Sequence, residues 1–257
     1  VPLAGYFPTR EQIHTLSKYP LNLLFCEECK LVQTDSVIDP DILFKDYRYM
    51  SSVGLSGHFT ELAEIIDTKY KVKGKDILEI GCNDGVLLDP LTKLGANIEG
   101  VDPATNIVKL AIEKGLKVYN TYFNYKDFSG DSWKDKYDLV LSNNAFAHII
   151  DVRDVVKGII DEHQWDNIYH EHIYYYSITT LQNLFAQYNM TVTDFEEIPI
   201  HAGSIRVTVT NEVVELNKKV KDRFTEESST ICDINYLSSY NSKVTAHIDK
   251  FKLQIQE

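Results

Sequence analysis

The apolar positions of this chain change period several times, and each change predicts an element. Ile77, Leu78 and Ile80 form a short apolar run that stops at Gly81, and the spacing from Val86 to Leu94 is helical, which predicts strand, turn and helix. A second apolar strand over 97–101 ends at Asp102. Further strand signals stand around 117–119 and at 137–142, with a helical stretch over 104–114 between strands. Alternating strand and helix predicts a parallel, doubly wound α/β sheet of Rossmann-like type. Upstream, 59–66 is amphipathic. Downstream, 178–190 reads as an amphipathic helix, 191–210 alternates as strands, and 212–227 reads as a charged helix. The remaining polar helical pattern reads as a linker helix towards a further domain or a partner.

One stretch breaks the alternation. After the helical run 154–160 a further buried strand is due, yet 161–166 is polar and carries no strand signal. A strand and its two loops occupy about fifteen to twenty-five residues, so a segment is expected to be missing between Ile160 and Asp161. The chain then divides into 1–60, 61–211 and 212–257.

The turn after the first strand of the sheet carries the chemistry. Gly81 and Gly85 let a ligand approach the backbone, and free amides collect at the helix start that follows. A dinucleotide needs G-x-G-x-x-G so that a pyrophosphate can lie on those amides. Here the turn is Gly81-Cys-Asn-Asp-Gly85, with an acid where the phosphate would sit. S-adenosylmethionine has no phosphate and carries a sulfonium and an ammonium, which suit Glu79 and Asp84. Asp102 ends the next strand, close to the spacing at which an acid accepts from ribose hydroxyls. Asn143 and Asn144, before Ala145-Phe-Ala-His148, stand at the carboxyl end of a later strand, where ligands bind in such sheets.

Charge and length narrow the classes. The 257 residues allow one large domain or two modest ones, and the net charge of −12 argues against a nucleic-acid partner. No apolar run is long enough to span a bilayer and no secretion signal is visible, so no membrane association is expected and the cytoplasm is the expected location.

Cys26 and Cys29 form a C-x-x-C step before an apolar strand, like half of a zinc knuckle. A zinc site needs four ligands. His14 or another residue completes it, or a second pair lies before Val1, or these are reduced thiols. Tyr47 and Tyr49 alternate on one extended face. The polar and aromatic cluster Tyr169-His-Glu-His-Ile-Tyr-Tyr-Tyr-Ser177 lacks the H-E-x-x-H of zinc proteases and fits acid-base chemistry, with a carboxylate and a phenol beside histidine. It equally fits a surface aromatic strand.

Six stretches in order carry a resemblance: Tyr19 to Gln33, Phe44 to Ser52, Glu79 to Leu88, Asn143 to Ile149, Tyr169 to His172, and His201 to Arg206. In these the chain resembles the S-adenosylmethionine-dependent C-methyltransferases of nucleotide-linked keto-deoxysugars, truncated at both ends. The resemblance implies a class I methyltransferase sheet preceded by a partial zinc-binding module, with zinc structural and an absent C-terminal domain. It implies cofactor contacts at Glu79, Gly81, Asn83, Asp84, Gly85, Asp102, Pro103, Asn143 and Asn144, and zinc ligands at Cys26 and Cys29. His172 would be the base that forms an enolate and Glu171 its orienting partner. Tyr169 and His148 would polarise the keto oxygen, Tyr47 or Tyr49 would close the site, and His201 and Arg206 would touch a nucleotide-linked ketosugar. Methylation of oxygen or nitrogen on a small metabolite, or a silent cofactor-binding module, are the other readings.

Overall fold

The computed structural model describes residues 3, 8–45, 47–123, 127–128, 132–133, 136–145, 170–198 and 204–256. In chain order the elements are β1 (Leu23–Phe25), β2 (Val32–Thr34), α1 (Pro40–Phe44), α2 (Ser52–Tyr70), β3 (Asp76–Ile80), α3 (Leu88–Lys93), β4 (Asn97–Val101), α4 (Thr105–Glu113), β5 (Val118–Tyr119), β6 (Leu139–Leu141), β7 (Tyr174–Tyr175), α5 (Ile178–Ala186), β8 (Thr191–Ile198), β9 (Ser204–Thr210), α6 (Lys218–Ser228) and α7 (Ile234–Gln256). They fall into two compact units, 38–146 and a second made of 1–37 with 147–257. No described helix is long and apolar enough to cross a membrane.

Unit 38–146 is built on a parallel sheet in the order β5-β4-β3-β6. Ile77 and Leu78 on β3 and Ile98 and Val101 on β4, the two inner strands, are buried, whereas Val140 on β6 is exposed. Phe59, Leu62, Ala63 and Ile66 repeat at three- and four-residue steps on α2 and join Ile77, Leu87, Leu88 and Leu91 in one core. Helix α2 stops at Lys71, which takes a left-handed conformation (φ 53°) while its N–H reaches Asp67 O. On α4, Ile107, Val108 and Ala111 form the buried face. The strand order reverses between β3 and β6, and ligand crevices in such sheets open beyond the strand ends at that place.

The second unit is antiparallel. β1, β2 and β7 form one sheet, with Leu23 opposite Thr34, Phe25 opposite Val32, and Val32 opposite Tyr175. Strands β8 and β9 pair as a hairpin with an irregularity between Val192 and Asp194. Helix α5 starts at a capping box in which Ser177 and Thr180 exchange hydrogen bonds. Glu227, fully buried near the end of α6, accepts from the Ile178 and Thr179 amides at 3.1 and 2.8 Å, which satisfies further donors of that helix start. Helix α6 starts at 218 rather than 212, because the Asn217 side chain caps it by accepting from Val220 N.

Candidate cofactor and catalytic site

Backbone conformation shapes the bend after β3. Gly81 (φ 76°) lies so close to Ala145 that any Cβ would collide with its side chain, and Gly85 (φ 78°) is similarly closed by Leu116. Asn83 also takes a left-handed conformation, at φ 50°. Inside the bend Glu79 and Asp84 are almost wholly buried, with exposures of 2% and 1%. Glu79 Oε1 receives a long 3.4 Å hydrogen bond from Asn143 Nδ2, across the point where the strand order reverses. Glu79 Oε2 and Asp84 Oδ1 are buried without a hydrogen-bond partner among the described residues.

Burial, with the neighbouring Asp102 charge, pushes the Glu79 carboxyl up to about 8, against the weaker effect of Asn143. Asp102 is also raised by burial, although Asn83 N and Ala104 N donate to its oxygens at 2.9 and 2.8 Å. Each oxygen keeps a second lone pair. Lys114, 3.9 Å from Asp84 Oδ2, is the cation within ion-pair reach of these three acids among the described residues. Three buried carboxyl groups with spare oxygens form a site that favours a positively charged ligand and resists a pyrophosphate. Cys82 is buried beside them, and desolvation pushes its thiol well up, away from thiolate reactivity.

Two asparagines fasten the tyrosine segment to this bend. Asn83 accepts from Ser51 N at 2.9 Å and donates to Tyr49 O at 3.1 Å. Asn106, in the first turn of α4, accepts from Tyr47 N and donates to Tyr47 O, at 3.1 and 2.7 Å. The Tyr47 and Tyr49 rings lie 6.5 Å apart. Burial and then the Asp84 charge raise the Tyr49 hydroxyl, which places it within the field of the acidic bend. The parts played by Asn106 and Lys114 carry no local signal, since Asn106 and Tyr47 are 59 residues apart in the chain. Pro103 and Asn144 (φ 52°) lie beside these groups in sequence.

In the other unit, Cys26 and Cys29 sit in the loop joining β1 to β2. The turn is closed by Lys30 N to Cys26 O (2.8 Å) and Cys26 N to Leu31 O (2.9 Å), with Lys30 at φ 65°. Both thiols are half-buried. They supply half of a tetrahedral set, and no group of three His, Cys, Asp or Glu that could hold a metal stands among the described residues. The described residues therefore do not by themselves fit a zinc ion.

Glu171 and His172 are half-buried just before β7, and the His172 ring lies 6.5 Å from that of Tyr175. Tyr175 and Tyr176 are buried, whereas Tyr174 is half-buried. Arg206, on β9, donates to Glu196 at 2.7 Å. Tyr169, His148, His201 and the step from Ile160 to Asp161 lie outside the described residues.

The family described as "Methyltransferase domain" matches residues 55–161, and that described as "Putative zinc binding domain" matches residues 1–44. C-methyltransferase NovU of Streptomyces niveus is 28% identical over an alignment 239 positions long that covers 82% of this chain and 56% of that protein. The chain thus spans little more than half the length of that relative. A ubiquinone biosynthesis O-methyltransferase of Azorhizobium caulinodans is 38% identical over 88 residues, 32% of this chain and 33% of that protein. Among solved structures, magnesium protoporphyrin IX methyltransferase of Synechocystis PCC 6803, with bound SAH, aligns with a TM-score of 0.46 at 13% identity, covering 61% of this chain and 82% of that one.

Proposed function

We propose that this chain is an S-adenosylmethionine-dependent methyltransferase with a zinc-binding region ahead of its methyltransferase domain, and that it methylates a carbon atom next to a keto group in a nucleotide-linked deoxysugar. The observation that carries cofactor choice is the pair of buried carboxylate oxygens, Glu79 Oε2 and Asp84 Oδ1, left without partners at the glycine bend. Such oxygens are costly unless a cationic donor meets them. S-adenosylmethionine supplies an electrophilic methyl group on a sulfonium and brings an ammonium of its own. Glu79 and Asp84 would hold the positive end, Asp102 the ribose hydroxyls, and the amides around Gly81 and Gly85 the intervening backbone, with Pro103, Asn143 and Asn144 lining the cradle.

Carbon becomes a nucleophile only after losing a proton. His172 is the base in this reading: it takes the hydrogen α to the ketone, and Glu171 holds the imidazole in the tautomer that can accept it. Tyr169 and His148 would stabilise the enolate oxygen, Tyr47 or Tyr49 would close the site near the sulfonium, and His201 and Arg206 would hold the sugar nucleotide. The enolate carbon would take the methyl group as the sulfur–methyl bond breaks, leaving the neutral thioether S-adenosylhomocysteine, and the proton removed from carbon would stay on His172 until it passes to solvent. Holding both reactants in register supplies much of the rate. With two further ligands, the Cys26–Cys29 turn would hold zinc in a structural role, giving it two of its four ligands.

Relatives acting on oxygen support a second reading for the cofactor-binding part, methyl transfer to oxygen or nitrogen of a small metabolite. Heavy water separates the two. The full-length protein, incubated in deuterium oxide with a panel of nucleoside-diphosphate keto-deoxysugars, should exchange the α-hydrogen of its substrate and lose that exchange in His172→Gln. Methylation without any exchange at carbon would sink the enolate reading.

A further inference from the structure

Resting on the reading of His172 as the base, we propose that His170 is its positioning residue, fastening the catalytic segment to the cysteine hairpin. His170 is 1% exposed, and its Nε2 lies 3.0 Å from Pro20 O. A carbonyl only accepts, so Nε2 carries the proton and donates. The ring also meets Tyr19 edge-on, with centroids 5.9 Å apart. Three residues later the same segment is held again: Thr34 N donates to Ile173 O at 2.8 Å, the bond that starts the pairing of β2 with β7.

Glu171 and His172 are therefore a two-residue span between two fastenings, both to the segment 19–34 that contains the Cys26–Cys29 turn. The direction of the His172 side chain follows from where those fastenings put the backbone. His170 is not itself available to a substrate, being buried with Nε2 committed. Nor is it there for packing alone. Its Nδ1 is buried without a partner among the described residues, a cost an apolar side chain of similar size would not carry. What the imidazole adds over leucine is one directed bond to Pro20, and a directed bond sets a position where apolar contact tolerates several.

The test compares His170→Leu, His170→Asn and His170→Gln in the full-length protein. Glutamine reaches about as far as Nε2 and keeps a donor there, whereas the shorter asparagine amide falls short of Pro20 O. The first readout needs no substrate: the His172 ring Cε1–H signal in carbon-13 histidine-labelled protein, identified by its loss in His172→Gln. We expect that signal to broaden or split in the leucine and asparagine variants and to stay as in the wild type in the glutamine variant. Titrated S-adenosylhomocysteine should bind all three within twofold of the wild type. With an acceptor in hand, kcat should fall about 100-fold in the leucine and asparagine variants, the order expected for a misplaced catalytic group, with KM little changed. Glutamine should restore kcat to within tenfold.

An unchanged His172 signal in His170→Leu overturns the proposal, as does equal behaviour of the asparagine and glutamine variants. If the leucine variant does not fold, the asparagine and glutamine pair decides alone. Full turnover in His172→Gln would instead remove the base reading, while the anchoring still stands or falls on the ring signal.

Discussion

Glu79 and Glu99 stand on adjacent strands of one sheet and have opposite fates. Glu79 is opposite Gly100 and Glu99 is opposite Leu78, so the two side chains leave the sheet on opposite faces. Glu79 meets one long hydrogen bond, and burial drives it up to about 8. Glu99 is also opposed by burial, yet Lys117, Lys136, Tyr137 and Tyr119 all donate to it and bring it down to about 2. Its bonds from Tyr137 and Lys136 are 2.6 and 2.8 Å, and that from Tyr119 is 3.1 Å. The Lys136 ammonium also lies 4.2 Å from the centre of the Trp133 ring. A saturated acid holds a fold together; an acid left short of donors waits for a ligand.

Replacing each acid by its amide tests that division most directly. Glu79→Gln should weaken S-adenosylhomocysteine binding by about 100-fold, measured by titration calorimetry, because a charge-assisted hydrogen bond in a dry site is lost. The same variant should be more stable than the wild type without ligand. Below pH 4.5 the glutamate is protonated in folded and unfolded chains alike. Between 4.5 and about 8 the unfolded chain releases its proton while the folded one keeps it, so stability drains away as pH rises, by on the order of a few kcal/mol. Glu79→Gln should therefore raise the thermal midpoint at pH 8 and not at pH 4. Unchanged binding in this variant would break the comparison.

The pH dependence of binding comes next in size. A cation that needs ionised Glu79 must displace a proton, so affinity for S-adenosylhomocysteine should rise roughly tenfold per pH unit between pH 6 and 7.5 and level off above about 8. Calorimetry in buffers of different ionisation enthalpy should find a proton released at pH 6.5. A flat profile would mean that the carboxyl never titrates on binding.

Glu99→Gln should do the reverse of Glu79→Gln: lower stability by about 1–2 kcal/mol at pH 7 in denaturant unfolding, and leave ligand affinity alone. The folded-state value is depressed, so what Glu99 contributes is present above pH 4.5 and is lost as pH falls towards about 2. The smallest effect belongs to Asn143→Ala. Its 3.4 Å bond favours the charged form of Glu79, so its loss should move the binding profile to higher pH and cost only a few-fold in affinity at pH 7.

Much of unit 38–146 was legible beforehand because its signals are local. The strand at 77–80, the glycines that end it and the helical spacing that follows need only neighbours in the chain, and the structure returns them as β3, the bend and α3. Boundaries shifted where a side chain far from the apolar pattern acted, as Asn217 does by capping α6. Less was legible in the other unit. The pairing of β2 with β7 joins residues more than a hundred positions apart, so nothing near Tyr174 and Tyr175 announced that they continue the sheet of the cysteine hairpin.

Sequence by itself determined the α/β sheet, the acid-lined bend unsuited to a phosphate and the two-thiol turn, since each is a matter of residue type and spacing over a few positions. Only the tertiary structure decided which glutamate is satisfied and which is left wanting, and that His170 turns inward to Pro20. Desolvation and hydrogen-bond donors come from residues brought close in space, and no short window of sequence records who arrives.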